Sequence, residues 1–156
     1  MSGVSKAIVQ PLLSWYDAGH RDLPWRSEPA PYRVWVSEIM LQQTRVEAVR
    51  GYFSRWMNAL PDIPALAAAD EAVYTKLWEG LGYYSRVRNL HRAAVLLCEE
   101  YGGELPADYD RLLALPGVGE YTAGAVASIA FGLPVPAVDG NVLRVAARLD
   151  NDFTPI

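Results

Sequence analysis

The residues from Tyr32 to Leu41 constrain the fold more than any other stretch. Val34, Trp35, Val36, Ile39, Met40 and Leu41 put apolar side chains almost all the way round a helix. Such a helix belongs in the middle of a core, because no face of it suits water. Its partners must be helices too, since apolar residues recur at helical spacing nearly everywhere else. Ile8, Leu12, Trp15 and Tyr16 mark a helix over 6–17, and Val46, Val49, Tyr52, Phe53 and Trp56 mark one running to about Leu60. Short helices are predicted over 65–69, 71–79 and 108–115. Longer ones are predicted from an N-cap at Ser85 to Tyr101, over 122–131 and over 142–149. Pro24, Pro29 and Pro31 punctuate a loop over 20–31, and Gly102-Gly103 stops the longest helix. No alternating strand pattern and no internal repeat interrupts this reading. The fold class is all-α, a bundle of many short helices.

Composition limits the function. The chain has 156 residues, 51% of them hydrophobic and 11% aromatic, which suits one domain with a real core and excludes a disordered chain. No apolar run reaches the length of a membrane span. Asp17, His20, Arg21 and Asp22 follow the first apolar stretch with no small-residue cleavage site, so no signal peptide is expected. The single cysteine, Cys98, excludes an internal disulfide framework, a multi-cysteine zinc site and a protein-ligated iron–sulfur cluster within this chain. At helical spacing from Ala94 it reads as core. The net charge of −4 argues against a general nucleic-acid binder, so any such role needs local features.

Several local features carry chemistry. Leu115-Pro116-Gly117-Val118-Gly119 is a tight turn ahead of a helix rich in Ala and Gly. Its glycines open backbone conformations closed to other residues, and the free N–H groups of the following helix can receive a phosphate. The same turn would also serve as a plain corner between helices. Glu38 lies inside the apolar helix, where desolvation raises a carboxyl pKa and favours the neutral acid, as general-acid work near neutral pH requires. Equally, it could escape at the helix edge. Asp139, before Gly140-Asn141 at a helix start, is placed to accept backbone N–H bonds and stay ionised. Alone it reads as an N-cap. Beside a neutral acid it completes the two-carboxylate pattern of glycosidic bond cleavage. Gln42-Gln43-Thr44 and Gly82-Tyr83-Tyr84 put amides and tyrosines on tight loops suited to entering a base stack. Arg86, Arg88 and Arg92 form a local basic cluster. Taken singly, these arginines could be a solvated face and the tyrosines core.

Five segments occur in one order along nearly the whole chain. They are Leu23-Pro24-Trp25-Arg26, residues 36–44 (VSEIMLQQT), residues 79–86 (EGLGYYSR), the turn at 115–119 and Val138-Asp139-Gly140-Asn141-Val142. Together they resemble the helix-hairpin-helix DNA glycosylase superfamily, and within it the MutY-type adenine glycosylases. Lyase-type relatives carry a lysine nucleophile just after the hairpin, where this chain has Tyr121. The resemblance therefore implies base excision by hydrolysis without efficient strand cleavage. It implies that Glu38 protonates the adenine ring and helps handle water. It further implies that Asp139 stabilises or captures the sugar cation and that Asn141 and Tyr121 support the carboxylates. Trp25 and Arg26 would line the adenine pocket, while Gln43, Thr44, Leu81 and Tyr83 would probe the opposite base. Leu115, Gly117, Val118 and Gly119, with Arg86 and Arg88, would hold the DNA backbone, with a possible monovalent cation on the hairpin carbonyls.

The implied partner is double-stranded DNA with adenine opposite 8-oxoguanine or guanine, met by a monomer in the cytoplasm or nucleoid, with no membrane partner. Family members also carry a [4Fe–4S] cluster on four cysteines, which this sequence lacks. The resemblance thus implies a fragment truncated before the iron–sulfur half. It would comprise residues 1–30 and 138–156 of an incomplete helical half and a helix-hairpin-helix domain over 31–137, with weak or no activity alone. Two other readings stay open: a non-catalytic DNA-binding module, and an endonuclease III-like pyrimidine glycosylase, against which Tyr121 speaks.

Overall fold

A computed structural model describes residues 7–152. Lys6, expected to open the first helix, lies outside them. The described residues divide into two units, one over Leu23–Ala137 and one made of 7–22 with 138–152.

The larger unit is built round α2 (Pro31–Leu41), the element predicted to be central. It packs against α3 (Val46–Ala59), α6 (Ser85–Tyr101) and α8 (Glu120–Phe131), so its apolar faces are all used. Tyr32, Val34, Trp35, Val36, Ser37, Ile39 and Met40 are buried. Ser37 stays satisfied by donating to the Val34 carbonyl at 2.8 Å. α4 (Ile63–Ala67) lies along α6, and α5 (Glu71–Trp78) touches α3 and α6. A ladder of aromatics fixes these contacts. Trp56 packs edge-on to Trp78 at 5.6 Å and donates its indole N–H to the Tyr32 hydroxyl, which in turn donates to the Leu60 carbonyl.

Two short helices begin with side-chain caps. Asp62 accepts from the Ala65 N–H at the start of α4, and Asp108 accepts from the Arg111 N–H at the start of α7 (Tyr109–Leu113). Gly102 ends α6 in the left-handed conformation predicted for a stop. Ser85 departs from expectation. It is the first residue of α6 rather than its N-cap, and Tyr84 precedes it in helical geometry without a side-chain cap. The compact unit also begins at Leu23, ahead of the expected boundary at 31, because Leu23 and Trp25 are buried in its core.

The smaller unit holds α1 (Val9–Gly19) and α9 (Gly140–Asp150). The stripe expected on the first helix is there, but Leu12, Trp15 and Tyr16 are exposed, Trp15 by 67%. Among the described residues no helix is long and apolar enough to cross a membrane.

Candidate active site and hairpin

In the larger unit, α2 and α8 lie against each other, and this contact sets the site. Glu38 and Gln42 are one turn apart on α2 and its C-cap, and so share a face. Tyr121 and Thr122, in the first turn of α8, meet that face. The Tyr121 hydroxyl hydrogen-bonds Glu38, and the Gln42 amide donates to the Thr122 hydroxyl at 3.3 Å. Thr122 is buried, and sequence reasoning gave it no role.

Glu38 is half-buried among apolar neighbours. Burial pushes its carboxyl above the ordinary range, while the Tyr121 hydrogen bond and the positive charge of Arg26 pull less strongly the other way. Glu38 has thus not escaped to water at the helix edge. Arg26, named with Trp25 as a pocket residue, is exposed but close enough to act on Glu38. Trp25 itself is a core residue, edge-on to Phe53 at 5.4 Å.

In the smaller unit Asp139 caps α9. One carboxylate oxygen accepts from the Val142 N–H at 2.8 Å and the other from the Asn141 amide at 2.9 Å. These bonds hold its pKa below the usual carboxylate value, the backbone bond contributing most. Asn141 is itself steadied by Arg144, which donates to its Oδ1 at 2.9 Å. The N-cap and the held carboxylate are one arrangement, since the bonds that cap the helix also keep the group ionised.

The hairpin turn joins α7 to α8, which pack together. Leu115 and Val118 are buried, so any contact they make with DNA is through the backbone. The Val118 N–H is already committed to the Leu115 carbonyl at 3.1 Å. Gly117 takes φ +77°, and a Cβ there would lie 2.7 Å from the Asn89 Cβ, so both the turn and the close approach of α6 demand glycine. Gly119 is the N-cap of α8 and supplies no side-chain cap, and the exposed Glu120 opens the helix.

The two loops expected to meet the bases are both formed. Gln43 and Tyr83 are exposed and hold left-handed backbones, φ 57° and 47°. Thr44 is half-buried, its hydroxyl donating to the Gln42 carbonyl. Leu81 has its side chain buried in the core, so any contact it makes with a base is through the backbone. Arg86 corrects another expectation. Predicted on the DNA backbone, it is only 9% exposed and spends its guanidinium on backbone carbonyls within the fold. The stripe it belongs to was readable: Leu90, Ala93 and Leu97 follow it at helical spacing and are buried with it. Arg88 is exposed and pairs with Glu71 at 3.1 Å.

A [4Fe–4S] cluster needs four thiolates, and the chain has one cysteine, half-buried on α6 against the core. Its residues therefore do not fit that group. Among the described residues no cluster of His, Cys, Asp and Glu is placed to hold a metal ion.

A family model described as HhH-GPD superfamily base excision DNA repair protein matches residues 36–153. Adenine DNA glycosylase of Mus musculus is 52% identical over 147 residues, covering 88% of this chain and 28% of the relative. Adenine DNA glycosylase of Mycolicibacterium smegmatis is 48% identical over 138 residues, covering 88% and 47%. The chain thus spans under half the length of these relatives. A thermostable thymine-DNA glycosylase superposes with TM-score 0.87 at 28% identity, covering 95% of this chain and 71% of that structure. Endonuclease III in a non-covalent DNA complex gives 0.82 at 27% identity, covering 96% and 70%. With the hairpin, the all-helical core and the matched residues in agreement, the chain belongs to the HhH-GPD superfamily of base excision DNA repair proteins.

Proposed function

We propose that this chain carries the catalytic groups of an adenine DNA glycosylase, which hydrolyses the N-glycosidic bond of adenine mispaired with 8-oxoguanine or guanine. The observation that carries the reading is Glu38, a carboxyl held half-buried on the central helix, driven toward its neutral form and hydrogen-bonded by Tyr121. The names of the relatives and the segments shared with them supply the base. In this reading Glu38 gives its proton to a ring nitrogen of adenine, so the base leaves as a neutral molecule. The bond from the sugar C1′ to the base breaks, its electron pair going to the base. The sugar cation that forms is stabilised by the ionised Asp139, held for that by Val142 and Asn141. Water then adds at C1′, and its proton goes to the Glu38 carboxylate, leaving an abasic site. Tyr121 offers no amine for a Schiff base, so the strand stays intact.

Gln43, Thr44 and Tyr83 belong to loops that would meet the opposite base, while the hairpin backbone over 115–119 and Arg88 would meet phosphates. A cation on the hairpin carbonyls would fit the same contact. A single-turnover assay tests the reading. A duplex with adenine opposite 8-oxoguanine is incubated with excess chain, and product strands are resolved with and without alkali. Breaks that appear only after alkali, absent from a matched adenine–thymine duplex and lost about 10²-fold or more in Glu38→Gln with duplex binding kept, are expected. Excision of oxidised pyrimidines instead would favour the endonuclease III-like alternative. Tight binding without excision would favour a DNA-binding module.

A further inference from the structure

We propose that Arg86 is a positioning residue that clamps the loops carrying Gln43 and Tyr83 in one fixed relation for DNA engagement. The two loops lie far apart in sequence but end on the same guanidinium. Nη1 donates to the carbonyls of Ile39 at 2.9 Å and Met40 at 3.2 Å, and to that of Gln42. Nη2 donates to the carbonyls of Leu81 at 3.0 Å and Gly82 at 3.3 Å, and reaches the Thr44 hydroxyl at 3.4 Å. The carbonyl just before Gln43 and the carbonyl just before Tyr83 are thus held by one planar group. Among the described residues Arg86 has no carboxylate partner. Its charge is met by the free carbonyl end of α2 and by the rings of Trp78 and Tyr83, 5.3 and 5.7 Å away.

The held residues give the clamp its purpose. Gln43 and Tyr83 sit in the left-handed region, which side chains other than glycine rarely adopt and which persists only where the surroundings enforce it. Both are exposed, Tyr83 by 63%. Trp78 adds to the hold on the second loop by donating to the Gly82 carbonyl at 3.0 Å. A buried cation that fixes two exposed residues with strained backbones is a costly device for stability alone. It suits a surface whose side chains must enter a duplex without being ordered at that moment. In this last respect the inference rests on the function proposed above. Arginine is required because a lysine ammonium has three donors on one point and cannot span both loops.

Arg86→Lys in the 156-residue chain is the test, because it keeps the charge and removes the fork. Hydrogen exchange of the free protein should become about tenfold or more faster over both 41–45 and 80–84, and stay unchanged over 93–97. Binding to duplex with adenine opposite 8-oxoguanine should lose about tenfold of its preference over a matched duplex, with the salt dependence kept. Exchange that quickens in one loop or neither overturns the clamp. Looser loops with the preference intact overturn its role toward DNA. A salt slope reduced by about one in Arg86→Met would mean that Arg86 contacts phosphate, and would also overturn it. A parent chain without mispair preference refutes the function reading, and the loop exchange still decides the clamp. Should Arg86→Lys not fold, Gln43→Gly with Arg86 intact decides instead. Its unfolding midpoint should rise, because glycine adopts the left-handed backbone without strain, and a lowered or unchanged midpoint overturns the enforced conformation.

Discussion

Two glycines inside helices should respond in opposite directions to the same substitution. Gly51 lies on the exposed side of α3, and a Cβ there would meet only the mobile tip of Arg55 at 3.4 Å. Gly51→Ala should therefore gain most of the helix propensity difference, about 0.5–1 kcal/mol. Gly124 lies in the buried middle of α8, and a Cβ there would stand 2.2 Å from the Pro136 carbonyl oxygen and 3.2 Å from the Ala137 Cα. Ordinary contact begins near 3.4 Å, so the returning backbone would have to retreat by about 1 Å, and backbone cannot rotate aside as a side chain does. Overpacking of this kind costs about 1–3 kcal/mol; with the obstacle rigid, the upper half of that range applies. Less the propensity gain, Gly124→Ala should lose about 1–2 kcal/mol. At about 2–4 °C per kcal/mol for a chain of this size, the two unfolding midpoints should differ by roughly 3–12 °C. Thermal denaturation followed by helical circular dichroism measures both. If Gly124→Ala were as stable as Gly51→Ala, the close packing of α8 on residues 136–137 would be wrong.

Tyr121→Phe removes a hydrogen bond that favours the Glu38 carboxylate, so the carboxyl pKa should rise further. The alkaline fall in excision should then move to higher pH, and a limb that stays or moves down would contradict the contact. Asn141→Ala removes one of the bonds holding Asp139 ionised, so its carboxyl should titrate closer to the ordinary value, with the Val142 bond preventing a full return. Carboxyl-selective NMR titration reads this without any activity. Tyr121→Lys puts an amine where lyase-type relatives carry theirs and should give a covalent adduct with DNA under borohydride. An active, folded variant with no adduct would undo the alignment at that position.

What the sequence made legible follows from how local the cause was. The central helix was readable because, apart from Arg33, Ser37 and Glu38, its side chains are apolar or aromatic. Asp139 was readable as an N-cap because its bond lies three residues from its own position, and Asp62 and Asp108, not singled out from the sequence, cap their helices over the same short span. Longer-range facts were harder. Gln42 on Thr122 and Tyr121 on Glu38 depend on α2 lying against α8, which periodicity does not specify. Arg86 was misread for a different reason. It stands in a run of basic residues, and the run suggested a solvated or DNA-facing surface. Its helical phase, shared with Leu90 and Leu97, says buried, and phase proved the better guide than charge. The resemblance implied substrate contacts for Trp25 and Leu81 and said nothing of their burial, which ties both side chains to the core.

The two carboxylates show why local environment decides chemistry that composition leaves open. Asp and Glu have similar intrinsic acidities, and neither is suited unaided to act at neutral pH as both a proton donor and a permanent anion. Glu38 is set on a helix packed by apolar neighbours on every other side, where the ionised form loses water and gains only one hydroxyl and a nearby guanidinium. Asp139 is set where a helix begins, with one N–H and one amide aimed at it, so the ionised form gains what it loses. Each shift arises within a single unit of the structure, from the helix interior in one case and the helix start in the other. In the proposed function the two roles would follow from these local settings: Glu38→Asp would shorten the reach to Tyr121, and Asp139→Glu would move the carboxylate off the Val142 N–H. Each exchange should impair excision although no charge has changed, whereas a mechanism that needed only two carboxylates in the vicinity would tolerate both.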